Sequence, residues 1–159
     1  MTCDGRWTTR PGAQERIDEL GDAWADGEPH PPEEAPFLSI EKTWHKLHHL
    51  LAAHGGTAVD VVRGGAELPL EDGTDYGPAR YFTPGEVARA AGSLAETPFD
   101  ALAGHYDLAA MRSAEVYLLP ENEAEVPLGL KTLRERYGEL VRFFAAAAGA
   151  GDAVVLMLA

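Results

Sequence analysis

The amino-acid pattern predicts an α/β or α+β fold: a compact single domain whose mixed sheet packs against several helices, with a long C-terminal helix followed by a buried strand. Three stretches predict it. Residues 77–87, GPARYFTPGEV, read as turn, strand and helix in succession. Residues 39–54 carry apolar side chains at helical spacing between a serine and a Gly-Gly pair. Residues 128–148 repeat that spacing over a longer span, and the uninterrupted apolar run 154–158 follows Gly149 and Gly151.

Taken in order, residues 1–10 are polar and lack periodicity. A helix is expected over 11–26, where Ile17, Leu20 and Trp24 recur at three- and four-residue spacing. GEPHPPEEAP, 27–36, is proline-rich and acidic and must be a loop. Ser39 is the expected cap of the 39–54 helix, which Gly55-Gly56 terminate. On a helical wheel Ile40, Trp44, Leu47, Leu51 and His54 share one direction and form the expected core face. His48 lies about 80° from it, His45 about 140° and His49 about 180°. Valines 59, 61 and 62 suggest a strand over 57–63, and 64–78 reads as a long acidic loop. Within 79–82, Arg80 and Phe82 share one strand face while Ala79 and Tyr81 share the other.

Thr83 then offers a hydroxyl cap, Pro84 sits where its missing N–H costs nothing, and Glu86 stands three residues after the cap. That is a capping box opening a helix over 84–95. Thr97-Pro98 suggests a second, short helix by the same logic, and Asp107 caps a third over 108–114. Residues 119–127 form an acidic, proline-bounded loop. Leu130, Leu133, Tyr137, Leu140, Val141, Phe144 and Ala148 then follow helical spacing. The run 154–158 suits an interior strand buried on both faces.

The 159 residues suffice for one domain with a real core. They carry 26 acidic and 13 basic side chains, a net charge of −13. Such a balance argues against nucleic acid and against an anionic membrane surface; it first of all serves solubility, and it permits a basic protein partner. Cys3 is the single cysteine, so no internal disulfide forms and a reducing, cytoplasmic compartment is expected. The N-terminus lacks the apolar core of a signal peptide, and the longest apolar runs are too short to span a bilayer.

Few motifs carry chemistry. G-x-S-x-G, C-x-x-C, H-E-x-x-H and the phosphate-binding G-x-x-x-x-G-K are all absent from the sequence. His45 and His49 stand four apart on the first strong helix, with Glu41 one turn earlier. That spacing suits metal chelation, but Lys46 beside His45 opposes it and no further ligand follows, so no metal and no cofactor is expected. His48, at the edge of the core stripe, reads as a hydrogen-bonded boundary residue. Arg80, between apolar neighbours, needs a carboxylate partner or an anion beside the following helix N-terminus. Glu121, Glu123 and Glu125 read as an exposed acidic loop.

Trp44-His45 with His48, GPARYFTPGEV at 77–87, His105-Tyr106-Asp107 followed by Ala109-Ala110-Met111, and the ending LVRFFAAAAGAGDAVVLML together resemble the YfbM-like family, a bacterial domain of unknown function. The similarity covers residues 38–159. It implies a compact α/β domain with a sheet against helices, and it brings no assigned activity, cofactor or partner to carry over. Residues 1–37 depart from the family pattern: a candidate helix and proline-rich loop stand there without a clear opening strand. Gly85 replaces a bulkier residue after the Thr-Pro pair. Two functions compete. One is a non-catalytic module that binds a protein partner. The other is a small-molecule or metal site, or an enzyme, using His45, His48, Tyr76 and Arg80. Convergence of those four side chains in one concave pocket separates the two.

Overall fold

The helix expected after Ser39 begins one turn later than that serine predicts. Ser39 Oγ accepts a hydrogen bond from Glu41 N at 3.2 Å, and Glu41 takes a positive φ of 46°. The chain then passes through a 3-10 turn, Glu41–Thr43, into α1, Trp44–His54. Gly55, in the left-handed region, closes it. Trp44, Leu47, Leu50 and Leu51 are buried, whereas His54 is exposed, contrary to its wheel position. His54 is the last residue of α1, next to the Gly55 cap, so it stands at the exposed end of the stripe, while Leu50 adds to its buried part.

The computed structural model describes residues 36–68 and 77–157. Cys3, the helix expected at 11–26, nearly all of the proline-rich stretch after it, and Tyr76 lie outside the described residues. After α1 come strands β1 (Ala66–Glu67) and β2 (Arg80–Phe82), then helices α2 (Pro84–Glu96), α3 (Phe99–Ala103), α4 (Leu108–Ser113) and α5 (Val126–Ala150), and strand β3 (Val154–Leu156). The sheet order is β1-β2-β3. Both pairings are antiparallel, with Ala66 opposite Tyr81 and Tyr81 opposite Val155. The described sheet is therefore antiparallel rather than mixed, and the architecture is α+β: short strands gathered beside a helical layer. β2 is central and β3 lies at the edge of the described sheet, although Val154 and Val155 are both buried as a strand covered on two faces requires.

The capping box opens α2 as its residues demand. Glu86 N donates to Thr83 Oγ1, and Glu86 Oε2 accepts from Thr83 N at 2.8 Å. Asp107 Oδ1 caps α4 through Ala110 N at 2.9 Å. Thr97 does not cap α3. Its hydroxyl donates back to Ser93 O in the preceding helix at 2.8 Å, so Pro98 stands at the start of α3 without a side-chain cap. A hydroxyl one turn beyond a helical carbonyl finds that acceptor sooner than the next helix's amides.

The core seam runs between α2 and α5. Val87, Ala90 and Leu94 face Leu133, Tyr137, Leu140, Phe144 and Ala147, all buried. Burying one such large apolar side chain stabilises by about 1.5–3 kcal/mol. Phe82 of β2 meets Phe144 edge-on at 6.1 Å, which ties the sheet to the seam. Tyr137 donates its hydroxyl to Thr97 O at 2.8 Å, and burial pushes its ionisation up to about 12. α1 packs across α3 and α5. Gly149 lies inside α5, and Gly151, at φ 71°, ends it.

Candidate functional site

The stretch 57–63 is a turn, not a strand. Asp60 accounts for this. Its Oδ1 accepts from Val62 N and Arg63 N, each at 3.0 Å. A side-chain carboxylate that captures nearby backbone amides competes with a ladder for the same donors. Val61 and Val62 still enter the core, so the apolar signal was sound and only the backbone form differed. Two glycines let the turn close. A Cβ on Gly64 would lie 2.5 Å from Asp60 O, and one on Gly65, at φ 90°, would lie 2.6 Å from Tyr81 O. The turn is thereby pressed between α1 and β2, and the acidic stretch after it contributes β1.

This turn sets Asp60 against α1. His48 Nδ1 lies 3.3 Å from Asp60 Oδ2. Burial pushes the Asp60 carboxyl up, but the hydrogen bond from His48 and the amides of Arg63 and Val62 outweigh it and hold the group down at about 2. His48 is half-buried and bonded, as its boundary position predicts. His45, three residues earlier, stacks on the Trp44 ring at 4.8 Å with the planes 7° apart. Its Nδ1 accepts the backbone N–H of Tyr117 at 3.1 Å. Burial lowers the basicity of His45, helped by Arg63 and then by His48, His49 and Lys46. The Arg63 guanidinium lies 5.9 Å over the Trp44 ring.

Arg80 stands elsewhere. Its Nη1 and Nη2 donate to Glu67 Oε1 of β1 at 3.3 and 3.2 Å, an ion pair across the antiparallel pairing of β1 and β2. Of the sequence-derived set, His45 and His48 are neighbours, Arg80 is committed to the sheet, and Tyr76 lies outside the described residues. Glu41 pairs with Arg136 at 3.4 Å and does not serve His45. Among the described residues no three His, Cys, Asp or Glu side chains are arranged to hold a metal ion. A cleft formed by described residues lies along β3, lined by apolar side chains such as Leu38, Val61, Phe143 and Leu156, and offers no polar anchor. Asp60 and Arg63 escaped the sequence reading because they were assigned to a strand. The short D-x-x-R-G-G pattern, an Asx-turn residue before two glycines, was the signal for them.

A second feature joins the same helix. Lys46 Nζ donates to Leu118 O at 2.8 Å, and Arg112 donates to Pro120 O and Glu121 O at 2.9 and 2.6 Å. Together with His45 these side chains strap residues 115–121 onto α1 and α4. Glu115 and Leu118 adopt positive φ, 53° and 50°, without being glycine. Val116 points inward and is buried, while Tyr117 and Leu118 face solvent, 37% and 49% exposed. Pro120 seats near Gly129 at the start of α5, next to Leu128, which is 70% exposed.

A helix-rich α+β domain with a small antiparallel sheet, bearing no recognised catalytic constellation among its described residues, is the class these features define. The chain belongs to the family described as Domain of unknown function (DUF1877), whose model matches residues 4–157. The match takes in most of the first 37 residues as well as the rest. No curated protein matches the chain. A solved structure, that of a protein of unknown function, YfbM from Escherichia coli, shares the fold at a TM-score of 0.71. It is 16% identical, and the alignment covers 99% of this chain and 100% of that one. The resemblance read from the sequence is thus established at the level of family and fold. Among the described residues no helix is long and apolar enough to cross a membrane.

Proposed function

We propose that this protein is a non-catalytic binding module that docks a basic protein partner through the strapped loop 115–121 and the adjoining start of α5. The observation that carries the reading is the exposure of Tyr117, Leu118 and Leu128 amid exposed carboxylates at Glu115, Glu121, Glu123 and Glu125. Large apolar side chains held outward on a strained, side-chain-anchored loop lose little entropy on binding. A rim of carboxylates selects a partner of opposite charge and speeds its approach. The net charge of −13 acts in the same direction.

The competing reading needed His45, His48, Tyr76 and Arg80 to share one pocket. The engagement of Arg80 with Glu67 weighs against that set. The test is a pull-down from cell extract with the parent and with a Leu118→Ser, Leu128→Ser variant. A discrete basic partner should be retained by the parent, lost by the variant, and released at about 0.5 M salt, where the Debye length is about 4 Å. Equal retention by both chains would overturn the reading.

A further inference from the structure

We infer that His54 and His105 form a chelating pair for a zinc ion at the C-terminal end of α1. The two rings come from different elements, 51 residues apart in the chain. Spacing within one helix, the usual sign of a histidine chelate, therefore does not show the pair. His54 is the last residue of α1. His105 follows α3, and its amide donates to Leu102 O at 3.0 Å. α1 packs against α3, and His54 Nδ1 comes to 3.3 Å from His105 Nε2. The rings meet edge to face, with centroids 5.4 Å apart and planes at 65°. Both residues are exposed, so an ion and its waters have access to the pair.

The distance selects the kind of ion. Two imidazole nitrogens on a tetrahedral zinc, each about 2.0–2.1 Å from the metal, stand about 3.3–3.4 Å apart. Neighbouring positions on a square-planar or octahedral ion of similar bond length would draw them in to about 2.8–3.0 Å. The observed 3.3 Å matches the tetrahedral arrangement. Imidazole suits zinc, whereas magnesium and calcium take oxygen ligands. The protons balance as well. Between neutral rings one facing nitrogen donates and the other accepts. Zinc needs a lone pair on both, so the donating ring moves its proton to its outer nitrogen and no proton is lost overall. An ion there meets the negative end of the α1 dipole on a chain of net charge −13, and both favour a cation. Two protein ligands leave the remaining tetrahedral positions to water, so no third side chain is required. Neither histidine belongs to the 115–121 loop, and the inference does not rest on the docking reading.

The experiment is a titration of the isotope-labelled full chain with zinc chloride at about pH 7.5, where imidazoles are largely neutral, reading ring nitrogen and proton resonances. His54 Nδ1 and His105 Nε2 should shift together and saturably. At saturation His54 should carry its proton on Nε2 and His105 on Nδ1, a pairing that a hydrogen bond between the rings forbids. This readout is made on the parent and depends on no variant. Magnesium chloride at the same concentration should shift neither ring. In His105→Ala the His54 ring should bind zinc about tenfold more weakly or worse, because the second ligand no longer adds to the first. His49→Ala removes another histidine of α1 and should leave the affinity within about twofold. The Leu118→Ser, Leu128→Ser variant should bind zinc like the parent, which separates this site from the docking surface. Shifts at one ring only, unchanged zinc affinity at His54 in His105→Ala, or equal shifts with magnesium would each overturn the assignment.

Discussion

The seam between α2 and α5 and the loop at 115–121 hold their shapes by opposite means. In the seam many apolar side chains interlock, and no one contact determines the backbone. In the loop, a few polar side chains from neighbouring elements grip main-chain atoms and hold two non-glycine residues at positive φ. Burial is additive and tolerant: losing one side chain weakens the whole domain without redirecting it. Strapping is local and exacting: losing one bond releases a segment while the core stands. Surfaces that must present particular atoms suit the second kind of construction, and both the loop at 115–121 and the histidine flank of α1 are made that way.

The sharpest break in this comparison is Phe144→Ala. Its ring is buried between α5 and Phe82, and removing it should cost about 3–5 kcal/mol of global stability by denaturant melts. A parent-like midpoint would show that the seam does not carry the fold. Trp44→Ala, under His45, should fall in the same range by the same measurement, since Trp44 is nearly buried and also supports the strapped flank.

Gly65→Ala tests the turn that positions Asp60. The new Cβ meets Tyr81 O in a left-handed backbone, so a loss of about 1–3 kcal/mol is expected, with the His48 resonances displaced. Unchanged stability would mean that the turn does not need its close approach to β2.

Asp60→Asn sharpens the local side. The Asp60 carboxyl is depressed in the fold, so its contribution is present above its unfolded value, near pH 4, and is lost as pH falls through about 2. The side chain remains 41% exposed, and solvent screening limits the effect to about 1 kcal/mol. Melts of parent and variant at pH 6 and pH 2 should therefore converge at the lower pH. A gap that stays constant would assign the effect to packing instead. The smallest expected effect is His49→Ala, on the outer side of α1, within about 0.5 kcal/mol of neutral by denaturant melts. A collapse there would rotate the whole helix relative to its core.

Much of this protein is determined by sequence alone, and the reason is locality. Thr83, Pro84 and Glu86 build a capping box from atoms three residues apart, so no distant partner is needed to recognise it. The helical spacing from Leu130 to Ala148 describes a face that any core would bury, and the family resemblance rests on these same local patterns. The bends and straps were decided only in three dimensions. Val59, Val61 and Val62 have the composition of a strand, yet Asp60 takes the amides of Val62 and Arg63 that a ladder would use. Thr97 has the sequence of a cap, yet its hydroxyl finds Ser93 O first. Nothing local to His45 and Lys46 names their partners, Tyr117 and Leu118, which bring main-chain atoms to them from some seventy residues away. A side chain's chemistry is written at its own position, but its partner is chosen by the approach of segments distant in the chain, and that choice belongs to the tertiary structure.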